Sequence, residues 1–337
     1  MNQYLLSICI PSYNRPKELK RLLESVDGDN NKIEIIICED YSPKREEIAR
    51  TVEDYKDNTK YKVEYCENIE NYGYDRNLRE CIKNAGGKWI MFMGDDDVFV
   101  PGELDAYMSF LEENPSLGYV LRSYQALHSD GSIEKFLYFP ETRFFDKGFD
   151  SCACLFRKSL FISGFCFRRE CMANNETDVL DGTLLYQLYI LTEICMEYPA
   201  AYYHKPITQS IDGGVPYFGN SKAERELYTP GSITVGNSVA FMKKYFVVTE
   251  HLDKKHNIEL SKSVRNDLSK YSYPILSIQR NKGRKVFWSY HKELCKLGLN
   301  CTMYYYIYLL GLYVVGEGIC DKIIRMIKKT MGRTPQL

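Results

Sequence analysis

Residues 5–42, LLSICIPSYNRPKELKRLLESVDGDNNKIEIIICEDYS, decide the fold class. Leu5 to Ile10 is a short apolar run rich in β-formers. From Pro16 to Val26 the apolar side chains Leu19, Leu22, Leu23 and Val26 recur at spacings of three and four, which puts them on one face of a helix. Asn14 is placed to cap that helix, with Pro16 in its first turn. Ile33 to Cys38 is an almost unbroken isoleucine run, suited to a strand buried on both faces of a parallel sheet. Strand, helix and strand in close succession make a βαβ unit.

Working outward, the alternation continues. Glu46–Tyr55 carries a charged helical pattern, Lys62–Cys66 reads as a third strand, and Asp75–Ala85 as a helix stopped by Gly86-Gly87. Trp89–Met93 is a fourth strand that runs into Gly94 and the acidic triplet Asp95-Asp96-Asp97, and another helix lies between Pro101 and Pro115. After Leu117 the pattern changes. Tyr119–Tyr124 and Ile133–Phe139 read as strands joined at Ser129-Asp130-Gly131, so the sheet is expected to become mixed. Gly182–Tyr198 has a helical apolar stripe and Ala201–Ile207 reads as a strand. Ser210–Asn220 is dense in Gly and Pro, which suits a loop beside the site. From Ser221 on the pattern is helical. The expected architecture is α/β, a mostly parallel central sheet with helices on both faces. It divides into an α/β domain at 1–220 (halves 1–115 and 116–220) and a helical region at 221–337.

The chain has 337 residues, 45% of them hydrophobic, enough for a sizeable core. Its 44 Lys and Arg against 45 Asp and Glu leave no global field for a nucleic-acid partner. The twelve cysteines are scattered, several within apolar runs, and the opening residues lack a basic leader and long apolar segment, so a reduced, cytoplasmic setting is expected. Cys152, Cys154, Cys166 and Cys171 lack the paired spacing of a zinc site and read as core thiols. The longest apolar run, Met303–Val315, is too short to span a bilayer.

In an open α/β sheet, ligands bind outside the carboxyl ends of the strands. The exits here carry Pro11 to Arg15, Glu39 to Ser42, and Asp95 to Asp97. Three adjacent carboxylates repel one another unless something positive neutralises them. A divalent cation, Mg²⁺ or Mn²⁺, held against a diphosphate would do so; alternatively the triplet caps the helix that follows. Asp40 either serves a ligand or caps the turn at Ser42-Pro43, and Arg76 either serves a ligand or pairs with Glu80.

Several motifs in order resemble the family 2 glycosyltransferases, which have the GT-A fold: LSICIPSYNRPKELKRLLESV, IEIIICEDYSP, and NYGYDRNLRECIKNAGGKWIMFMGDDDVFVPGEL. The resemblance implies that Pro11, Tyr13 and Asp40 line a nucleobase pocket, with Asp40 accepting from a uracil-type imide. Arg76 would support base or phosphates, Asp95 would contact the donor ribose, and Asp96 would ligate the metal with Asp97 sharing either task. The family often has an aspartate where this chain has Gly94. LDGTLLYQL resembles the family's segment that supplies the general base, which makes Asp181 the candidate, with Leu180 standing where a glutamate is common and Asp178 and Glu176 in reserve; Asp181 could equally be a helix N-cap.

The implied reaction is inverting, metal-dependent transfer of a single sugar from a nucleoside-diphosphate sugar, UDP-type favoured, to a hydroxyl of a glycan or lipid-linked acceptor in surface-polysaccharide synthesis. The alternatives are a nucleotidyltransferase acting on a sugar phosphate, which would need a Gly-rich loop after the first strand, and a non-catalytic glycan-binding scaffold. The tail combines Ile323, Ile324 and Ile327 with Lys322, Arg325, Lys328 and Lys329. Such a segment can lie at the inner face of the plasma membrane, pack on the protein, or form a homo-oligomer contact.

Overall fold

A computed structural model of the chain describes residues 4–173, 175–213, 217–225, 227–230 and 232–331, with the side chains of 325 and 327–331 excepted. The first βαβ unit is β1 (Leu6–Ser12), α1 (Pro16–Glu24) and β2 (Ile33–Glu39). Next come α2 (Arg45–Asn58), β3 (Lys62–Glu67), α3 (Tyr74–Asn84) and β4 (Trp89–Phe92). A two-residue strand β5 (Val98–Phe99) and helix α4 (Leu104–Glu113) close the first half.

The second half contains β6 (Tyr119–Leu127), β7 (Ile133–Phe136), β8 (Arg143–Phe145), α5 (Phe149–Leu155), β9 (Phe165–Arg168), α6 (Tyr186–Glu197) and β10 (Ala200–Ile211). Helices follow: α7 (Lys222–Arg225), α8 (Val235–His256), α9 (Leu260–Lys270), α10 (Tyr273–Ser277), α11 (Arg284–Lys296), α12 (Met303–Val314) and α13 (Glu317–Met331).

One sheet runs in the order β3-β2-β1-β4-β9-β6-β10-β5, with β7 on β6 and β8 on β10. The β3, β2, β1 and β4 neighbours are parallel, while β9 is antiparallel to both β4 and β6. The sheet therefore becomes mixed after Leu117, as expected. Strands β5, β8 and β9 have no counterpart in the sequence reading. They are two to four residues long, and so short a run carries no measurable alternation.

The parallel block fixes the site by register. Ser12 of β1 lies opposite Glu39 of β2, and Cys9 opposite Phe92 of β4, so all three chains leave the sheet at one edge. The turn feeding β4 is pinned from below. Glu34 accepts from Ser7 Oγ at 2.6 Å and from the Gly86 and Gly87 amides at 2.6 and 2.8 Å. A Cβ at Gly87 would meet Ser7 Oγ at 2.6 Å, so only glycine allows the approach.

Each face of the sheet buries its own apolar layer. On one side Ile8, Ile10, Ile35 and Ile37 pack with Leu19, Leu22 and Leu23 of α1 and Tyr107 and Leu111 of α4. On the other, Cys9, Ile36 and Phe92 join Leu188 and Leu191 of α6 and then Val239, Met242 and Tyr245 of α8. The C-terminal helices thus continue the core of the sheet's second face.

Two helix starts differ from expectation. The N-cap of α1 is Arg15, without a side-chain cap bond, while Asn14 sits at φ 64°. Helix α6 begins at Tyr186 rather than Gly182, because buried Asp75 of α3 accepts from the Leu184 and Tyr186 amides at 2.9 and 3.0 Å. The cap comes from a residue more than a hundred positions away, and Asp181 is not the N-cap.

Candidate active site

At the common exit edge lies a cleft of about 300 Å³. Its floor is Pro11, Ser12 and Tyr13 after β1, Asp40 after β2, and Gly94 to Asp96 after β4. Tyr217, Phe218 and Glu224, from the segment after β10, close it.

Asp95 is 3% exposed and doubly held. The Tyr13 amide donates to Oδ2 at 3.0 Å, and Arg15 Nη1 donates to Oδ1 at 2.9 Å. The same Nη1 lies 3.0 Å from Asp96 Oδ2. Arg15 therefore supplies the countercharge that the triplet's self-repulsion demands, a role the sequence offers to a divalent cation or to the N-terminus of the following helix. Its guanidinium also lies 5.1 Å from the Tyr217 ring centre, and Tyr217 meets Tyr13 edge to face at 6.0 Å.

Burial pushes the Asp95 carboxyl up to about 6, against the pull of Arg15. Asp97, buried and accepting from Ser163 Oγ, is pushed up to about 7, again chiefly by burial and then by the charge of Asp96. Asp96 is the most exposed of the three, with its backbone carbonyl accepting from Arg21 Nη2 at 2.6 Å.

Gly94 leaves a cradle. A Cβ there would meet Asp96 Oδ1 at 3.2 Å, Ser163 Oγ at 3.2 Å and Asp97 Oδ2 at 3.4 Å. Three oxygens thus gather beside Gly94, and the carboxylates of Asp96 and Asp97 among them are the hard donor type that Mg²⁺ or Mn²⁺ takes. No group of three His, Cys, Asp or Glu side chains among the described residues is arranged as a metal cage. A cation here would draw its remaining ligands from water or a bound diphosphate, as Mg²⁺ usually does. The cysteines singled out from the sequence form no such cage, and all twelve are free. His204 of β10 is not on the cleft wall, and its Nδ1 lies 3.0 Å from the Phe139 carbonyl.

Asp40 reaches the cleft wall already engaged. Its Oδ1 accepts from Asn68 Nδ2 at 2.8 Å and the Tyr72 amide at 2.7 Å, and its Oδ2 from the Gly73 amide at 2.8 Å. Burial nevertheless pushes it up to about 6. With one donor on Oδ2, a lone pair remains for a ligand. Ser12 Oγ and Asn71 Oδ1, both on the cleft wall, are buried without a partner among the described residues. Buried polar atoms left unpaired cost stability, and a hydrogen-bonding ligand would satisfy them.

Three expected residues, Arg76, Asp181 and Asp97, are not on the cleft wall, and the last of them is held by Ser163. Arg76 is stacked on Tyr72, 3.3 Å from the ring centre, and the expected partner Glu80 pairs with Lys83 instead. Asp181 is clamped by buried Arg79, which donates to Oδ1 through Nη1 and to Oδ2 through Nη2 at 2.7 Å. Arg79 also binds the Thr177 carbonyl at 3.1 Å and lies 3.7 Å from Glu176.

Two residues on or behind the cleft escaped the sequence reading. Glu224 is buried and bridges the Tyr74 amide at 3.1 Å and the Gly219 amide at 2.7 Å, tying the covering segment to the start of α3. Arg15 was within view, as the only cation among the residues at the three strand exits. Glu224 had no such signal, since it sits in an ordinary charged helical turn.

Residues 7–172 match the model of the glycosyl transferase family 2. The chain is 26% identical over 114 residues to the abequosyltransferase RfbV of Salmonella typhimurium, covering 34% of each chain. It is 24% identical over 161 residues to the UDP-Glc:alpha-D-GlcNAc-diphosphoundecaprenol beta-1,3-glucosyltransferase WfgD of Escherichia coli, covering 45% of this chain and 58% of that one. An uncharacterized glycosyltransferase of Haemophilus influenzae is 29% identical over 117 residues, covering 34% of this chain and 37% of that protein. These matches span between about a third and three fifths of the relatives' lengths. The fold is similar to that of Staphylococcus aureus TarS residues 1–349, solved with UDP-GlcNAc, at a TM-score of 0.50 and 15% identity, covering 88% of this chain and 89% of that one. With the family signature running from β1 past β9 and the cleft at its strand exits, residues 7–172 form a family 2 glycosyltransferase domain, on a GT-A fold.

Proposed function

We propose that this chain transfers a single sugar, with inversion, from a nucleoside-diphosphate sugar of UDP type to a hydroxyl of a glycan or lipid-linked acceptor during polysaccharide synthesis. The observation that carries the reading is the lock of Tyr13 and Arg15 on Asp95, beside the three-oxygen cradle over Gly94. The base would lie along Pro11 and Tyr13, with the spare lone pair of Asp40 and the unpaired Ser12 Oγ and Asn71 Oδ1 as its hydrogen-bond partners. Asp95 would accept from the ribose. The positive guanidinium of Arg15 and a cation held by Asp96 and Asp97 would face the diphosphate, where negative charge grows as the bond to the sugar breaks. A bound Mg²⁺ or Mn²⁺ supplies that neutralisation without a proton.

The general base in this reading is Asp181. Both its oxygens are engaged by Arg79, so it takes the acceptor proton only when one guanidinium arm gives way to the incoming hydroxyl. Arg76 would act only indirectly, through Tyr72, whose amide donates to Asp40. The Haemophilus and Salmonella relatives extend well beyond the matched segment, so the acceptor is read from chemistry alone. A thermal-shift screen of UDP-, GDP-, CDP- and dTDP-sugars with and without Mn²⁺ tests the proposal. Stabilisation by UDP-sugars that grows with Mn²⁺ is expected; no nucleotide-dependent shift would sink it.

A further inference from the structure

The last two helices carry an apolar face that stands exposed among the described residues. On α12, Tyr305, Leu309 and Leu312 point into the core, while Met303, Ile307, Leu310 and Val314 form an outward stripe at spacings of four, three and four. Met303 is 72%, Leu310 64% and Val314 61% exposed. The stripe has a counterpart on α13, where Ile319, Ile323 and Met326 are exposed at spacings of four and three. The two helices meet where Cys320 Sγ approaches Gly311. Trp288 of α11, itself 44% exposed, packs against Tyr313 at 5.9 Å. An apolar face this large on a water-soluble surface marks a binding site.

Charge identifies the occupant. Residues 280–331 hold ten Lys and Arg against three Asp and Glu, whereas the whole chain is balanced. Arg284 lies 5.5 Å from the Tyr313 ring centre at the edge of the face, and Lys285 and Lys322 stand exposed. The side chains of Arg325, Ile327, Lys328 and Lys329 fall outside the described residues. A second copy docking here would bring two basic surfaces together, which repel. No helix among the described residues is long and apolar enough to cross a membrane.

We infer that α12 and α13 lie in the interface of an anionic lipid bilayer, the apolar stripes entering the headgroup boundary and the basic residues meeting lipid phosphates. Tyrosine and tryptophan at the margin suit that boundary, where the ring is buried and the polar atom stays wet. This inference does not depend on the donor chemistry, and its test leaves the cleft untouched.

Co-sedimentation of the full chain with phosphatidylglycerol-containing vesicles and with pure phosphatidylcholine vesicles tests it. The wild type should pellet with the anionic vesicles and be released by high salt, since basic residues supply part of the affinity. The double variant Ile307→Glu with Leu310→Glu alters only exposed positions, so it should keep its circular dichroism and melting temperature while losing about tenfold or more in vesicle binding. Lys285→Glu with Lys322→Glu should weaken binding to anionic vesicles alone. The inference is overturned if the wild type stays in the supernatant, if the double variant pellets equally well, or if ultracentrifugation shows a dimer that the double variant turns into monomer.

Discussion

Two of the molecule's arginine–aspartate pairings, Arg15 with Asp95 and Arg79 with Asp181, are built differently. Arg15 touches Asp95 and Asp96 through a single nitrogen, leaving carboxylate oxygens turned to the cleft. Arg79 grips both oxygens of Asp181 with both arms and takes the Thr177 carbonyl as well. A single-point contact neutralises charge while leaving coordination capacity, which a diphosphate or cation can use. A two-point clamp consumes that capacity and ties α3 to the segment before α6. The first pairing has the form of a binding site and the second the form of a strap that would have to open to act.

The largest expected effect breaks the first pairing. Asp96→Asn should lower turnover about 100-fold or more and abolish the Mn²⁺-dependent part of any nucleotide thermal shift. Metal-dependent turnover retained in this variant would remove Asp96 from the cation site. The second pairing is sharpened by setting Asp181→Asn against Arg79→Lys. If Asp181 is the base, its variant should lose on the order of 100-fold in kcat with donor KM unchanged, far more than Arg79→Lys. Equal losses in both variants would make the pair a strap alone.

Stability separates them next. Arg79→Ala leaves a half-buried carboxylate and an unpaired carbonyl, so unfolding free energy should fall by roughly 3 kcal/mol in urea titration. Arg15→Ala should cost less, because it also leaves a cleft that solvent can enter.

A pH dependence follows from the raised carboxyls. Asp75 is buried and pushed up to about 7, mainly by burial, and Asp40 to about 6. Both values exceed the unfolded value near 3.8, so the folded state binds more protons between about pH 4 and pH 7 and stability falls as pH rises through that window. Melting temperature without metal should be higher at pH 5 than at pH 7, with a slope of about 1.4 kcal/mol per pH unit for Asp75 across that range and for Asp40 only below about pH 6. A flat profile would show that these carboxyls are ionised without penalty. The smallest effect is expected from Arg76→Ala, which should change donor KM only a few-fold, since Arg76 stands on Tyr72 away from the cleft wall.

The first half of the fold was legible because its strands are set in a regular alternation with striped helices. β1, α1, β2 and β4 each lie within a few residues of the sequence reading. Short strands were not: β5, β8 and β9 exist because neighbouring backbones offer them partners, as β9 shows by bridging β4 and β6. The same division runs through the site. Asp40, Asp95, Asp96 and Asp97 are adjacent in sequence to strand ends, and parallel register brings those ends to one edge. Asp75, by contrast, reads as an ordinary first-turn acid of α3, and only the packing of α3 against α6 turns it into the cap of a distant helix.

Local periodicity and strand-end chemistry therefore determine the α/β architecture, the exit edge and the acidic character of the cleft, since each depends on residues near one another in the chain. Tertiary structure alone decides that Arg15 is the triplet's countercharge, that Gly94 opens an oxygen cradle, that Glu224 ties the covering segment to α3, and that Arg79 closes on Asp181. Those four facts join residues brought together by sheet register and helix packing, and a distance between far-apart residues has no signature in either one's immediate neighbours.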